Sequence, residues 1–133
     1  HMQKNQWGRI INMASIHSLV ASANKSAYVT AKHGLIGLTK AAALEGGANG
    51  ITVNAISPAY VRSALVEKQL AAQAKANNIS ENEVLEQILL KNSSVKRLIE
   101  PQEVADLVLM LCSENSKSIT GSNLTIDGGW TAQ

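Results

Sequence analysis

Residues 8–47 read GRIINMASIHSLVASANKSAYVTAKHGLIGLTKAAALEGG, and this stretch predicts a strand, a loop and a long helix. The apolar run at residues 9–13 follows a glycine and is typical of a strand buried in a parallel sheet. Between residues 26 and 44, alanine and leucine recur at steps of three and four, and two glycines at 46 and 47 then give a stop signal. A buried strand that leads into such a helix indicates an α/β fold.

The middle of the chain predicts a second strand and an inserted helical hairpin. Residues 51–56 are rich in β-branched side chains and are closed by Pro58, so we expect a strand there. Residues 65–75 predict one helix, and the capping box of Ser80 and Glu83 predicts the start of the next. An insertion of this kind usually covers or specifies a site, so we expect the hairpin to act as a lid.

The end of the chain predicts a further helix and a last strand. Pro101 suits the first turn of a helix with an apolar side, and residues 124–126 form a short strand before the turn DGG at residues 127–129. The order of elements predicts three parallel strands with flanking helices, as in half of a doubly wound sheet. We expect these elements to form part of a single domain, over residues 1–133.

The composition excludes several classes of protein. The chain has a formal net charge of +2 without a basic stripe, and only two Trp and two Tyr, so it gives nucleic-acid binding little support. Cys112 is the single cysteine, which rules out an internal disulfide and a cysteine-based metal site. No run of about 18 apolar residues exists, which excludes a transmembrane helix. Because no secretory signal is visible, we expect a cytoplasmic protein that needs no metal and binds no membrane.

Three side chains suggest acid–base chemistry. Tyr28 and Lys32 are four residues apart and therefore share one face of the predicted helix. A nearby cation stabilises a phenolate, which makes a tyrosine a better donor and acceptor of protons. Such a pair also occurs on ordinary solvated helix faces, so it is a weak signal alone. Ser15 strengthens it, because this residue lies just past the end of the first strand, where open parallel sheets bind ligands.

A family resemblance rests on these residues and on two further motifs. Ser15, Tyr28 and Lys32, followed by NAISP at residues 54–58 and DGG at residues 127–129, resemble the short-chain dehydrogenase/reductase family in type, order and spacing. The resemblance implies a Rossmann-like fold and the transfer of a hydride between a carbinol or carbonyl carbon and the nicotinamide ring of NAD.

The resemblance also implies a role for each residue. Tyr28 would exchange a proton with the substrate oxygen, Ser15 would hold and polarise that oxygen, and Lys32 would bind the nicotinamide ribose and favour the phenolate. The residues that the resemblance places along the cofactor are Tyr28, Lys32, Pro58, Val61 and Ser63.

A closer likeness concerns the substrate. The segments at residues 8–12, 15–17, 19–22, 24–28, 65–69 and 127–132 resemble family members that interconvert (R)-3-hydroxybutyrate and acetoacetate. This likeness implies that His17, Lys25 and Gln69 hold the carboxylate of a small hydroxy acid. Position alone leaves plainer readings open: a satisfied polar wall residue for His17, a loop lysine for Lys25 and a solvent-facing glutamine for Gln69.

The glycine-rich segment that cradles dinucleotide phosphates does not occur in these 133 residues. We therefore expect the chain to correspond to the C-terminal half of such a domain and to be inactive alone. Two other functions remain open. The chain could reduce 3-oxoacyl thioesters, which have no carboxylate to hold at this point. It could also be a non-catalytic module that self-associates through its amphipathic helices.

The resemblance further implies a homo-oligomer, either a dimer or a tetramer. The helix at residues 26–44 carries small side chains on more than one side, so it can approach a copy of itself closely. The final segment with Trp130 would supply a second contact between subunits.

Overall fold

The computed structural model describes residues 1–132 and has the α/β architecture that the sequence predicts. The helices are α1 (Met2–Asn5), α2 (Ser26–Gly46), α3 (Ala64–Asn77), α4 (Glu81–Val84) and α5 (Pro101–Cys112). The strands are β1 (Gly8–Met13), β2 (Ile51–Pro58) and β3 (Asn123–Ile126). Short 3-10 turns cover Ile16–Ser18, Gly47–Asn49 and Glu114–Ser116, and a π-helical turn covers Leu85–Leu89.

The three strands form a parallel sheet in the order β1-β2-β3. Gly8 to Met13 pair with Ile51 to Ile56, and β3 begins opposite Ala55. The central strand β2 is buried over all of its residues except the last, as expected of a strand covered on both faces. The predicted parallel α/β fold is therefore confirmed, with β2 and α2 each two residues longer than the sequence pattern indicates.

All three strands end at the same edge of the sheet. The Ala14 amide after β1 donates to the Ile56 carbonyl (2.8 Å), and the Ala59 amide after β2 donates to the Ile126 carbonyl (3.1 Å). These bonds extend the sheet pairing by one residue beyond β1 and β2. The segments that follow the strands therefore start side by side, at the carboxyl edge where parallel sheets bind ligands.

The apolar core contains two separate clusters. Ala43 of α2 packs with Ile51 and Val53 of β2 between helix and sheet. The second cluster lies within the inserted hairpin and its return, and its buried members are Leu70, Val84, Leu89, Leu90 and Leu98. We use "the hairpin" for α3, α4 and the π-helical turn that follows.

The hairpin folds as its sequence predicts. Asn78 ends α3 in the left-handed conformation (φ 55°), which asparagine tolerates better than most residues. The Ser80 side chain accepts from the Glu83 amide while Glu83 accepts from the Ser80 amide (2.8 Å), so the predicted capping box is present at the start of α4. Hydrogen bonds from the Ser80 amide and hydroxyl lower the pKa of the Glu83 carboxyl.

Residues 1–132 contain neither a membrane-spanning helix nor a metal-binding cluster. None of the helices there combines the length and the apolar character needed to cross a bilayer. Within the same residues, no three His, Cys, Asp or Glu side chains come together in a way that could hold a metal ion.

Candidate active site

A cavity of about 550 Å³ opens at the carboxyl edge of the sheet. One side consists of the segment after β1 and the start of α2, and the other consists of the segment after β2 and the start of α3. Of the residues that the sequence nominates, the cavity brings together Ser15, His17, Lys25, Tyr28, Val61, Ser63 and Gln69. Lys32 and Pro58 are the two nominated residues that do not line it.

Ser15 is held by the backbone around it. It caps the 3-10 turn Ile16–Ser18 and is buried, with 7% of its surface exposed. Its amide donates to Ser18 Oγ (3.1 Å), and its own Oγ accepts from the His17 amide (3.2 Å). Since the Oγ acts as an acceptor in this contact, the Ser15 hydroxyl retains its hydrogen for an oxygen in the cavity.

Tyr28 and Lys32 lie on the same side of α2, one turn apart. Tyr28 is in the first turn and is about half exposed, and the Lys32 ammonium lies 5.7 Å from the centre of its ring. Lys32 Nζ also donates to the Met13 carbonyl at the end of β1 (2.7 Å). An ammonium group has two further hydrogens, so Lys32 can tie α2 to β1 and still donate to a ligand beside Tyr28.

His17 is a buried imidazole between two aromatic side chains. Its ring centre is 6.1 Å from that of Tyr28 and 6.4 Å from that of Trp130, both in edge-to-face arrangements. Burial lowers the pKa of His17 below its usual value, and the nearby charges of Lys25 and His33 act in the same direction. Nδ1 lies 3.4 Å from the Val20 carbonyl, which partly opposes this shift.

The tautomer of His17 decides which ring nitrogen can donate into the cavity. A neutral imidazole that donates from Nδ1 to Val20 presents Nε2 as an acceptor, whereas the imidazolium form can donate from both nitrogens. His17 can therefore serve either as an acceptor or as a cationic donor in the cavity, and the bound ligand selects the form.

Lys25 and Gln69 come from different sides of the cavity. Lys25 immediately precedes α2 and is exposed, and its carbonyl accepts from the Val29 amide (2.8 Å) in the first turn. Gln69 is half-buried on α3, beside the apolar side chains of Leu65 and Val66. The cavity is thus polar on the α2 side and largely apolar on the α3 side.

The segment after β2 has a structural role that the sequence did not indicate. Val61 forms a bridge to Ile99, in which the Arg62 amide donates to the Ile99 carbonyl and the Ile99 amide donates to the Tyr60 carbonyl. The Val61 amide takes no part in either bond. Ser63, which the sequence nominates only as a cofactor contact, caps α3 by accepting from the Val66 amide (3.3 Å).

Sequence reasoning missed two aromatic residues of the site. Tyr60 lines the cavity, and burial raises the pKa of its phenol. Trp130, which the sequence suggests as a subunit contact, lies against His17. A signal was available for both, because each follows a strand at the carboxyl edge of the sheet.

Comparison with curated sequences identifies relatives over almost the whole chain. The sequence profile of a family described as enoyl-(acyl carrier protein) reductase matches residues 1–131. A D-beta-hydroxybutyrate dehydrogenase from Rhizobium meliloti is 52% identical over 132 residues, which are 99% of this chain and 51% of the relative. The protein of that name from Cupriavidus necator is 44% identical with the same coverage. An acetoacetyl-CoA reductase from Rhizobium meliloti is 40% identical over 96% of this chain and 48% of its own length. The chain thus spans about half the length of the curated relatives it matches.

Solved structures agree with the sequence matches. A short chain dehydrogenase family protein from Francisella tularensis superposes with a TM-score of 0.87 at 34% identity, over 94% of this chain and 51% of its own. Actinorhodin polyketide ketoreductase with NADPH superposes with a TM-score of 0.87 at 30% identity, over 99% of this chain and 50% of its own. A 4-hydroxyisoleucine dehydrogenase complexed with NADH superposes with a TM-score of 0.73 at 36% identity, over 94% of this chain and 47% of its own. These matches, together with the parallel sheet and the cavity residues, show that the chain belongs to the short-chain dehydrogenase/reductase family of oxidoreductases.

Proposed function

We propose that the protein is an NAD-dependent oxidoreductase that interconverts (R)-3-hydroxybutyrate and acetoacetate. The observation that carries the proposal is that one cavity brings the hydroxyl groups of Ser15 and Tyr28 together with the cation Lys25 and with His17. A small hydroxy acid presents one oxygen that gains or loses a proton and one carboxylate. Ser15 and Tyr28 match the oxygen, and Lys25 and His17 match the carboxylate. The names of the relatives from Rhizobium meliloti and Cupriavidus necator support the same assignment.

The chain also offers donors suited to a nicotinamide and its ribose. Lys32 has hydrogens beyond the one given to Met13, the Val61 amide is not used by its bridge, and the Ser63 hydroxyl lines the cavity. When bound, the cofactor supplies or accepts the hydride. We assign NAD by likeness to the hydroxybutyrate dehydrogenases; among the solved relatives one holds NADH and another NADPH.

In this proposal the side chains act on the substrate oxygen. The Tyr28 hydroxyl exchanges a proton with that oxygen, while the Ser15 hydroxyl donates a hydrogen bond that keeps it in place. Lys32, close to the Tyr28 ring, stabilises negative charge on the phenol as the proton moves.

The carboxylate lies at the other end of the substrate. Lys25 supplies a positive charge, Gln69 supplies amide hydrogens from α3, and His17 donates in its imidazolium form. Charge-assisted hydrogen bonds of this kind contribute about 1.5 to 3 kcal/mol each. They also orient the substrate, so that C3 faces the nicotinamide.

One alternative has a specific observation behind it. The acetoacetyl-CoA reductase that is 40% identical to this chain indicates a 3-oxoacyl thioester as substrate. Such a substrate would use Ser15, Tyr28 and Lys32 in the same way, but it has no carboxylate for Lys25, His17 and Gln69.

A steady-state assay of the full-length protein separates the two. We expect oxidation of (R)-3-hydroxybutyrate with NAD to have a higher kcat/KM than reduction of acetoacetyl-CoA with NADH or NADPH. A preference for the thioester would replace our assignment with the alternative, and no turnover with either would leave a non-catalytic module as the better reading.

The 133-residue chain should behave differently from the full-length protein. Because its sequence has no glycine-rich phosphate loop, we expect no measurable NAD-linked oxidation of 3-hydroxybutyrate by the chain alone. Turnover by material of verified mass would contradict this expectation.

We also propose that the protein self-associates through α2. This helix leaves Leu38 and Leu44 exposed beside several alanines, which suits close contact with a second copy. Light scattering at micromolar concentration should show a dimer or a larger species, and a monomer would count against the proposal.

A further inference from the structure

The turn that follows β3 is built around one buried carboxylate. Asp127 is 8% exposed, and its oxygens accept from the Gly129 amide (2.9 Å), the Thr131 amide (3.0 Å) and the Thr131 hydroxyl (2.5 Å). Burial acts to raise the pKa of Asp127, but the hydrogen bonds from Thr131, Gly129 and Trp130 outweigh it and lower the pKa. The carboxylate is therefore charged at neutral pH and fixes the turn from within.

The same turn is fixed from outside. The Gly128 carbonyl accepts from the amides of Ser94 (2.8 Å) and Val95 (2.9 Å), in the segment between the hairpin and α5. Gly128 and Gly129 both have left-handed backbones, with φ of 61° and 81°. A Cβ on Gly128 would lie 3.2 Å from the Val95 carbonyl oxygen, so a side chain is disfavoured there by strain and by space.

This rigid turn carries Trp130 to His17, which lines the cavity. The indole meets the His17 imidazole edge-to-face, with ring centres 6.4 Å apart and planes at 81°. Trp130 is a member of neither apolar cluster of the core. The buried carboxylate and the two left-handed glycines fix the backbone of the turn from which the Trp130 side chain projects.

We propose that Trp130, held by Asp127, is a positioning residue for His17: it fixes the plane of the imidazole and keeps water away from it. The inference rests on the proposed function, in which His17 contacts the substrate carboxylate. It adds that the orientation of His17 is set by the last turn of the chain, as well as by its own loop.

The other contacts of His17 show why a second aromatic ring, that of Trp130, helps to hold the imidazole. Its long Nδ1 contact to Val20 (3.4 Å) holds the ring loosely, and the Tyr28 ring meets it from α2. The other titratable groups that act on it are Lys25 and His33. An edge-to-face partner restricts rotation of the imidazole without adding a charge beside the carboxylate site.

The test compares Trp130→Ala, Trp130→Phe and Asp127→Asn in the full-length protein. Trp7→Ala is the matched control, because Trp7 is half exposed, stacks on Arg9 (5.1 Å) and lies at the opposite end of β1 from Ser15. The readouts are kcat and KM for (R)-3-hydroxybutyrate and for 2-butanol, and the pKa of His17 from the NMR titration of its ring.

We expect Trp130→Ala to raise KM for (R)-3-hydroxybutyrate by about 3- to 10-fold, because the loss of a fixed imidazole orientation outweighs the easier protonation of the ring. We expect little change in kcat and little effect on 2-butanol. The pKa of His17 should rise towards its usual value as water reaches the ring, because burial is the main cause of its depression. Trp130→Phe should restore most of the wild-type KM and most of the wild-type pKa of His17. Asp127→Asn should raise both quantities as Trp130→Ala does, but by less.

Two results would overturn the inference. One is an unchanged His17 titration in Trp130→Ala; the other is an equal loss on both substrates, which would make Trp130 a general structural residue. The NMR readout does not require turnover, so a failure of the proposed function would leave this inference testable. If Asp127→Asn does not fold, the two Trp130 variants decide the outcome.

Discussion

The two sides of the cavity are stabilised in different ways. On the sheet side, Ser15 and His17 are 7% and 9% exposed and are held by backbone contacts at the end of β1. On the hairpin side, Leu65 is 76% exposed and Gln69 is half-buried, on a helix whose core lies within the hairpin and its return. Ser15, which holds the substrate oxygen in our proposal, therefore has a rigid support, whereas part of the substrate wall belongs to a unit with its own packing.

Exposed ion pairs of Arg62 lie where the segment after β2 leads into the hairpin. Arg62 bonds to Glu67 in the first turn of α3 (3.1 Å) and to Glu100 before α5 (2.9 Å), next to the bridge between Val61 and Ile99. These ion pairs are about half exposed, and such pairs are worth little in water. We expect the hairpin to open more easily than the sheet, as a lid over a binding site must.

The largest effect should come from the rigid side. In the full-length protein, Tyr28→Phe removes only the hydroxyl proposed to exchange the proton, so we expect turnover to be abolished while NAD binding stays nearly intact. Steady-state kinetics and cofactor titration measure the two quantities. Near-normal turnover would remove Tyr28 from the mechanism.

The next effect tests whether the hairpin is a separate unit. Leu70→Ala should destabilise it by about 2 to 5 kcal/mol, because the side chain is 5% exposed within its core. Hydrogen exchange should show faster opening of α3 with unchanged protection of β1 and β2.

Leu109→Ala on α5 is the control for that variant. Its side chain is 66% exposed and lies outside the proposed contact through α2, so the change should lie within about 0.5 kcal/mol of wild type. If Leu70→Ala accelerates exchange in the sheet as much as in α3, the two sides form one cooperative unit and the comparison fails.

A smaller effect distinguishes carboxylate binding from general support. Lys25→Ala should lower kcat/KM for (R)-3-hydroxybutyrate by about 10- to 100-fold, since one charge-assisted contact is lost. A neutral alcohol of similar size, such as 2-butanol, should change little. An equal loss on both substrates would mean that Lys25 supports the fold or the cofactor.

The smallest effect concerns the return from the hairpin to α5. Two hydrogen bonds from Arg97 (2.6 and 2.9 Å) and one from the Glu100 amide lower the pKa of Glu103 to about 2. A carboxyl with a depressed pKa stabilises the fold above its unfolded value, near 4.5 here, and this contribution is lost as the pH falls towards 2.

Urea denaturation between pH 6 and pH 2 measures this contribution. The stability of Glu103→Gln should depend less on pH over that range than that of the wild type. Glu45→Gln is the control, because residues 1–132 supply Glu45 with no ion pair. A wild-type pH dependence in Glu103→Gln would show that other carboxyl groups account for it.

The sequence predicted much of this fold and part of the site, and the differences have physical reasons. Periodicity and caps are local signals, so α2, the hairpin and its capping box could be predicted directly from the sequence. Ser15 and Tyr28 could be placed together because the carboxyl end of a parallel strand and the start of the next helix share one edge. The contact between His17 and Trp130 spans most of the chain, and no local pattern encodes it. Nor could spacing show that Ser63 caps α3, since a serine before a helix also suits a ligand contact.

The position of acetoacetate in a complex with the full-length protein and NAD tests the central claim most directly. We predict that a crystal structure of this non-productive complex shows the keto oxygen within hydrogen-bond distance of Ser15 Oγ and the Tyr28 hydroxyl. The carboxylate should contact Lys25, with His17 and Gln69 beside it. A ligand whose carboxylate lies elsewhere, or whose keto oxygen does not reach Tyr28, would contradict the account.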